Sequence, residues 1–391
     1  MTVVDKVRLN RLQALMKDQG IDVLVCRLPE NVVYLTEYWP HHGVSVALLF
    51  QTGAPQLYAP EVEAEWAVPG WADVHPFGWA LLKDPDLYAT YREILGECAT
   101  DLRPGHAVVA VEKTAEVVGP SYRSAEPIVP AAPWHEMLAE VFADATLVDA
   151  TPVLSEARGI KSPYEVERLR TSAEIAEAAI RHSISRIEPG MTEAHIGALV
   201  EFHARSEGPG HNGARLVRCS AEVAAGLNTA KAVLLIPSTD YAVREGDLVM
   251  IEVGTVVDGY WSDLTYMAVV GEPTDRQREV HNAVLKAQKA AVAAVAPGNP
   301  QSLPDQIARE ELDRAGLSQY DPHITGHGIG LRYHEWVPML MPGSPGLLAP
   351  GMYMAVEPGV YIPGFGGIRI EDNVLVGDSG PVPLSTPRQP W

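Results

Sequence analysis

Four carboxylates and one imidazole, set in apolar stretches of the second half of the chain, are the residues best placed to do chemistry. Glu252 lies in Met-Ile-Glu-Val-Gly (250–254), and Asp263, eleven residues on, closes Gly-Tyr-Trp-Ser-Asp (259–263). His327 sits in Gly-His-Gly-Ile-Gly (326–330), ahead of His334-Glu335. Glu357 precedes Pro358-Gly359, and Glu371, fourteen residues further, precedes Asp372-Asn373. A carboxylate embedded among apolar residues is costly to ionise unless a cation compensates it. The set could therefore hold two divalent cations. Oxygen donors with a single imidazole suit Mn, Co, Fe or Zn rather than a thiolate-preferring metal, and two ions roughly 3.5–4 Å apart form a known hydrolytic device.

These side chains need strands and one loop to bring them together. Residues 247–254 and 260–270 have strand composition, with Asp258-Gly259 as the turn between them. Residues of equal parity along a strand share a face, so Glu252 and Asp263 can converge across an antiparallel ladder. Helices are predicted over about 275–295 and 303–315, followed by the glycine-rich His327 segment and two final strands that carry Glu357 and Glu371. Pro358, Gly359, Gly366 and Gly367 fit edges or bends in those strands. Upstream, Ser162 is placed as the N-cap of a helix with Pro163 in its first turn. Val166, Leu169, Ala173, Ala176, Ala179, Ile180 and Ile184 form its apolar face. Glu188-Pro-Gly ends that helix, and Thr192-Glu193 starts another that runs to about Ser206.

A domain boundary is expected near Leu154–Ser162, giving domains of 1–155 and 156–391. In the first, Val7, Leu12, Leu15 and Met16 recur at helical spacing over 5–19, and Gly20 is the stop. Strands follow at 21–25, 43–50, 56–58 and 107–111, which makes a mixed sheet with flanking helices. Residues 60–135 carry Trp66, Trp71, His75, Trp79 and Trp134 with weak periodicity. They read as irregular structure, packed either within the domain or on a neighbouring subunit. His41 and His42 are adjacent, and on an extended segment they point to opposite sides, which argues against a shared ion.

The chain has 391 residues, 47% of them hydrophobic, enough for two domains with a sizeable core. A formal charge of −20 argues against nucleic acid or an anionic membrane as partner, and leaves small substrates. No segment reaches the ~18 uninterrupted apolar residues of a membrane span, and the N-terminus lacks a signal-peptide core, so a cytoplasmic protein is expected. Cys26, Cys98 and Cys219 are far apart and without a CxxC pair, and read as buried reduced thiols.

The ligand-type residues and their spacing resemble the creatinase/aminopeptidase superfamily, whose peptidases include Xaa-Pro dipeptidase (prolidase) and aminopeptidase P, and the resemblance runs along essentially the whole chain. It implies an α+β architecture: a pita-bread catalytic domain preceded by a creatinase-type α/β N-terminal domain. In that family the ligands are two Asp eleven apart, the His of Gly-His-Gly, a Glu before Pro-Gly and a Glu before Asp-Asn. By position they fall on Glu252, Asp263, His327, Glu357 and Glu371. The resemblance implies that Asp263 and Glu371 bridge two ions, manganese foremost with Co, Zn or Fe as alternatives. Glu252 would complete one ion, and His327 and Glu357 the other. Water between the ions would be acidified to attack the Xaa-Pro bond of a short peptide. Glu357 would carry the proton to the leaving nitrogen. His334 would donate a hydrogen bond to the tetrahedral intermediate or shape the leaving-group pocket. His323 would stand behind the ligands or face the substrate, and Arg369 would pair with a substrate carboxylate or with the ligand cluster. A homodimer is expected, in which His41 or His42 could reach a partner's site. His195, His203, His211 and His281 lack matching partners and read as structural.

Three positions depart from the family pattern. Its peptidases carry an imidazole seventeen residues before the first aspartate; here that position is Leu235, which cannot donate a hydrogen bond. Glu252 adds a methylene to the first ligand. Tyr266 stands where peptidases commonly have Arg after Asp-x-Thr. Relatives such as creatinase and ectoine hydrolase use the fold without the standard metal set. The sequence therefore also admits a small-amide or amidine hydrolase, or a metal-poor inactive homologue.

Overall fold

The computed structural model describes residues 5–79, 86–113, 132–233 and 237–391. The chain divides into two compact units, one ending at Arg158 and the other spanning Gly159–Trp391.

The first unit opens with helix α1 (Lys6–Asp18), whose N-cap Asp5 accepts from the backbone of Val7 and Arg8. Strand β1 (Val23–Cys26) is wholly buried. Helix α2 (Pro29–Thr36) follows, with proline in its first turn, where a missing N–H costs nothing. Then come β2 (Val46–Phe50), β3 (Gln56–Pro60), the short α3 (Glu61–Ala64), β4 (Asp73–Phe77), α4 (Leu87–Thr100), β5 (Val108–Val111), α5 (Ala132–Val141), β6 (Thr146–Asp149) and α6 (Thr151–Gly159). The sheet order is β4-β3-β2-β1-β5-β6, with β1/β2 and β2/β3 antiparallel and the remaining pairs parallel.

The expectation of irregular structure over 60–135 needs correction where the chain is described. Besides the expected strand β5, it holds α3, β4, α4 and the start of α5. Four of the five β4 residues are exposed and Pro76 lies within it, so it shows none of the alternation by which strands are read. It survives as an edge strand, where proline forfeits no ladder bond. Trp71 and Trp134 are buried within the unit: the Arg8 guanidinium lies 4.5 Å from the Trp71 ring, and Tyr91 packs edge-on to Trp134. His42 and Tyr38 both bond to the buried Glu63, and His41 and His42 rest against Trp66 and Trp79 respectively.

The second unit is built on two helix pairs against strands. Helix α7 (Pro163–Ile184) starts with a reciprocal capping box between Ser162 and Glu165. Helix α8 (Glu193–Glu207) is capped by Thr192. Both pack on the sheet β7 (Val217–Ala225), β8 (Leu248–Val257) and β9 (Tyr260–Val269) through Ala176, Ile180, Ile196 and Val200. Asp258 and Gly259 turn β8 into β9 with φ of 51° and 98°, the left-handed pair that a two-residue hairpin requires. Helices α9 (Asp275–Ala293) and α10 (Leu303–Arg314) pack on the remaining strands through Val280, Val284, Ala308 and Leu312.

Those strands are β10 (Gly326–Gly328), β11 (Glu335–Leu340), β12 (Tyr353–Val356), β13 (Gly359–Ile362), β14 (Gly366–Arg369), β15 (Asp372–Val376) and β16 (Pro381–Pro383). β11, β10, β12, β15 and β16 form one sheet, and β13 pairs only with β14. Glu357 and Glu371 were expected inside two strands. Each instead occupies a junction, Glu357 between β12 and β13 and Glu371 between β14 and β15. Strands of four and five residues are too short to show a period. No helix among the described residues is long and apolar enough to cross a membrane.

Candidate metal centre

The β8/β9 ladder places Glu252 opposite Thr265 and Gly254 opposite Asp263. Glu252 and Asp263 are thus diagonal neighbours on one face, and both carboxylates reach the phenol of Tyr333. Asp263 is held from behind: its N–H donates to Asn373 Oδ1 at 3.2 Å, and that oxygen also accepts from Tyr353 at 2.9 Å.

His327 lies at the centre of β10, which runs between β11 and β12. A Cβ on Gly326 would run into the carbonyl of Ala355, and one on Gly328 into that of Val337. The two glycines therefore allow neighbouring backbone to close around the imidazole. The β10/β11 register shifts between His327 and Gly328. Nδ1–H donates to the Gly328 carbonyl at 2.9 Å, which leaves Nε2 facing Asp263 Oδ2 at 3.6 Å and Glu357 Oε1 at 3.5 Å. Burial opposes the charged imidazole, but Asp263 and Glu357 outweigh it and hold the pKa above its ordinary value.

Glu371, 1% exposed, accepts from Thr265 Oγ1 at 2.7 Å through Oε2, while Oε1 is buried with no hydrogen-bond partner. Burial pushes its carboxyl far up, with Asp263 and Glu357 adding to the effect. Glu357 is also raised: burial dominates, His327 offsets part of it and Asp263 adds to it. Buried carboxyls that resist ionisation around the Nε2 of one imidazole are the donor set a divalent cation would satisfy. Ligand-type atoms of His327, Glu357 and Glu371 lie within 4.8 Å of one another, as do those of Asp263, His327 and His334.

Glu252 is placed differently. One of its oxygens is in an ion pair with Arg369, and the other accepts from Tyr333 at 3.2 Å. Arg369 is 3% exposed and all three of its nitrogens are engaged. Nη2 meets Glu252, Nη1 donates to the Ala232 carbonyl at 2.9 Å and to Tyr361 at 2.7 Å, and Nε donates to Thr265 Oγ1 at 3.2 Å. Of the two expectations for Arg369, this geometry matches pairing with the ligand cluster. His323 joins the same network behind the ligands: Nδ1–H donates to the Ile324 carbonyl at 2.7 Å, and Nε2 accepts from Tyr361 at 2.9 Å. The His334 ring lies 4.2 Å from that of His327.

Tyr266 lies on the other face of β9 from Asp263 and Thr265, packed against the Arg388 guanidinium with Arg181 nearby. Strand alternation puts it on the face turned away from the ligands, so it is not among the side chains that surround them. Leu235 lies outside the described residues. His281 stacks on Trp391, His203 stacks on His182, His211 lies 2.8 Å from Glu174, and His195 is exposed on α8. Sequence reasoning missed Tyr333. Its place between two motif residues, Gly330 and His334, was the only available signal.

The model of metallopeptidase family M24 matches residues 167–378, and that of the creatinase/prolidase N-terminal domain matches 8–160. A Xaa-Pro dipeptidase of Pyrococcus furiosus is 38% identical over 58% of this chain and 63% of its own length. The match to the uncharacterized peptidase YqhT of Bacillus subtilis covers 66% of that protein, so these two relatives are spanned over less than two thirds of their length. A Xaa-Pro dipeptidase of Lactobacillus helveticus is 29% identical over 96% of this chain and 95% of its own. Among solved structures, a prolidase from Thermococcus sibiricus superposes with a TM-score of 0.80 at 27% identity, covering 100% of this chain and 99% of that one.

Proposed function

The chain belongs to metallopeptidase family M24, and from that premise we propose that it cleaves the Xaa-Pro bond of short peptides as a metal-dependent exopeptidase. Its fold is the pita-bread catalytic domain preceded by a creatinase-type N-terminal domain. The observation that carries the reading is the gathering of ligand atoms of His327, Glu357 and Glu371 within 4.8 Å of one another, with Asp263 Oδ2 3.6 Å from His327 Nε2. A divalent cation held there supplies an acidified water and a polarised substrate carbonyl.

The side chains do the rest. The hydrogen bond from Nδ1–H to Gly328 orients the His327 ring so that Nε2, the nitrogen that would bind the ion, faces Asp263 and Glu357. Glu357, shifted toward neutral pH by burial, takes the proton of the attacking water and delivers it to the prolyl nitrogen as the C–N bond breaks. His334 donates a hydrogen bond to the carbonyl oxygen as negative charge gathers there. Arg369 acts on the ligands through Glu252 and Thr265 rather than on the substrate.

Manganese is the ion proposed, because the donors are mainly hard carboxylate oxygens. The accompanying reading of a cytoplasmic homodimer is supported by the resemblance to the prolidases and by three free cysteines, two of them buried. The test compares Xaa-Pro with Xaa-Ala dipeptides on manganese-loaded protein. Preferential cleavage of the proline bond is expected, with a ~10²–10⁴-fold loss in Glu357→Gln. Hydrolysis of an amidine or a cyclic amide instead, with every dipeptide left intact, would overturn the proposal.

A further inference from the structure

We propose that the centre is built for one divalent cation, and that the Tyr333 phenol and the Arg369 guanidinium stand where a second would have to bind. The inference rests on the reading of the site as a metal centre and concerns how many ions it takes.

The donor atoms fall into two groups. Ligand-type atoms of His327, Glu357 and Glu371 lie within 4.8 Å of one another, His327 Nε2 stands 3.6 Å from Asp263 Oδ2 and 3.5 Å from Glu357 Oε1, and Glu371 Oε1 is buried without a hydrogen bond. His327, Glu357 and Glu371 can serve one ion, with Asp263 beside them on His327. A second ion would draw on Glu252 and on the other oxygen of Asp263, and both are already engaged. The Tyr333 hydroxyl lies between them, within hydrogen-bond reach of Glu252 Oε1 and of Asp263 Oδ1. The remaining Glu252 oxygen is in an ion pair with Arg369.

Glu252 is one methylene longer than the aspartate of the family pattern, and its carboxylate meets Arg369 and Tyr333 together. Guanidinium keeps its proton at any ordinary pH, so Glu252 already has a permanent positive partner and needs no metal for charge compensation. Arg369 cannot swing aside cheaply, because Ala232, Tyr361 and Thr265 hold its other nitrogens in a buried network. Tyr333 is braced as well, edge-on to Trp261 with ring centroids 5.5 Å apart and to His334 at 4.8 Å.

The test counts ions rather than turnover. Full-length protein is dialysed against graded manganese, its metal content per chain is read by atomic emission, and the bound ion is examined by electron paramagnetic resonance. One manganese per chain, with the spectrum of an isolated ion, is the expected result. The double variant Glu252→Asp with Tyr333→Val should take up a second ion and show the exchange-coupled signal of a pair. If that variant fails to fold by circular dichroism, Tyr333→Phe, which removes only the hydroxyl, should still raise occupancy above one. Two coupled ions in the unaltered chain overturn the inference and leave the metallopeptidase reading standing, whereas no bound ion at all overturns that reading first. Variants that fold but stay at one ion overturn the role given to Tyr333 and Glu252.

Discussion

Thr265 donates its hydroxyl proton to Glu371 Oε2 at 2.7 Å while the other oxygen of that carboxylate stays buried without a hydrogen bond, so one ligand is half satisfied by protein and half left open. The same Oγ1 accepts from Arg369 Nε at 3.2 Å, which links the donor set to the guanidinium network. Thr265→Val keeps the shape of the side chain and removes both bonds. It should destabilise the protein by about 1–3 kcal/mol and weaken metal affinity, because Glu371 loses the bond that orients it. Urea unfolding with and without manganese checks this. An unchanged midpoint in both conditions would show that Thr265 neither orients Glu371 nor supports the fold.

Metal should stabilise the fold. Glu357 and Glu371 are raised by burial, and a cation among them relieves a cost the folded state alone bears. At a free ion concentration a hundredfold above the dissociation constant, mass action stabilises by about 2.7 kcal/mol. Differential scanning of chelator-treated protein against manganese-loaded protein reads the shift in Tm. His327→Ala should abolish most of it.

His281 offers a pH dependence away from the centre. It is 3% exposed and stacks on Trp391 with ring centroids 4.0 Å apart, and burial lowers its pKa to about 4. An unfolded histidine titrates near about 6.5, so between these values the unfolded chain binds more protons than the folded one. Stability is therefore full above about pH 6.5 and falls as the pH drops toward 4, by up to about 3 kcal/mol. His281→Phe keeps the ring and should flatten that slope. Equal slopes for variant and parent between pH 6.5 and 4 would refute the assignment.

A buried ion pair braces the loop behind His327. Lys161 Nζ lies 2.9 Å from Glu335 Oε2, both residues are 6% exposed, and Glu335 Oε1 accepts from the Leu331 N–H at 3.1 Å. Lys161→Met strips the cation from a buried carboxylate and should cost about 3–5 kcal/mol. Adding Glu335→Gln to it should recover part of that loss, since no buried charge then remains at the pair. A thermal-melt double-mutant cycle measures the coupling, and simple additivity would count against it.

Much of the second unit is legible in the sequence. Capping signals at Ser162 and Thr192 mark the starts of α7 and α8, and the expected bounds of α8 and α9 fall within two residues of those observed, whereas α7 ends at Ile184, short of the Glu188-Pro-Gly stop. Asp258-Gly259 announces the β8/β9 hairpin, because few residue pairs accept two left-handed conformations in succession. The short strands β12 to β15 and the edge strand β4 carry no such signal. They are specified by what they pair with, and the partner of a strand lies elsewhere in the chain.

The sequence by itself determined the family and which carboxylates and which imidazole could meet, since ligand type and spacing are written in single residues and their immediate neighbours. Only the tertiary structure decided that Glu252 turns to Arg369 and Tyr333, that Tyr266 faces away from the ligands, and that one oxygen of Glu371 is left open. Each of these depends on which side chain from a distant segment arrives at the same few ångströms. Local order cannot specify that, because the competing partners for one buried carboxylate come from β14 and from the loop before β11, which packing alone brings together.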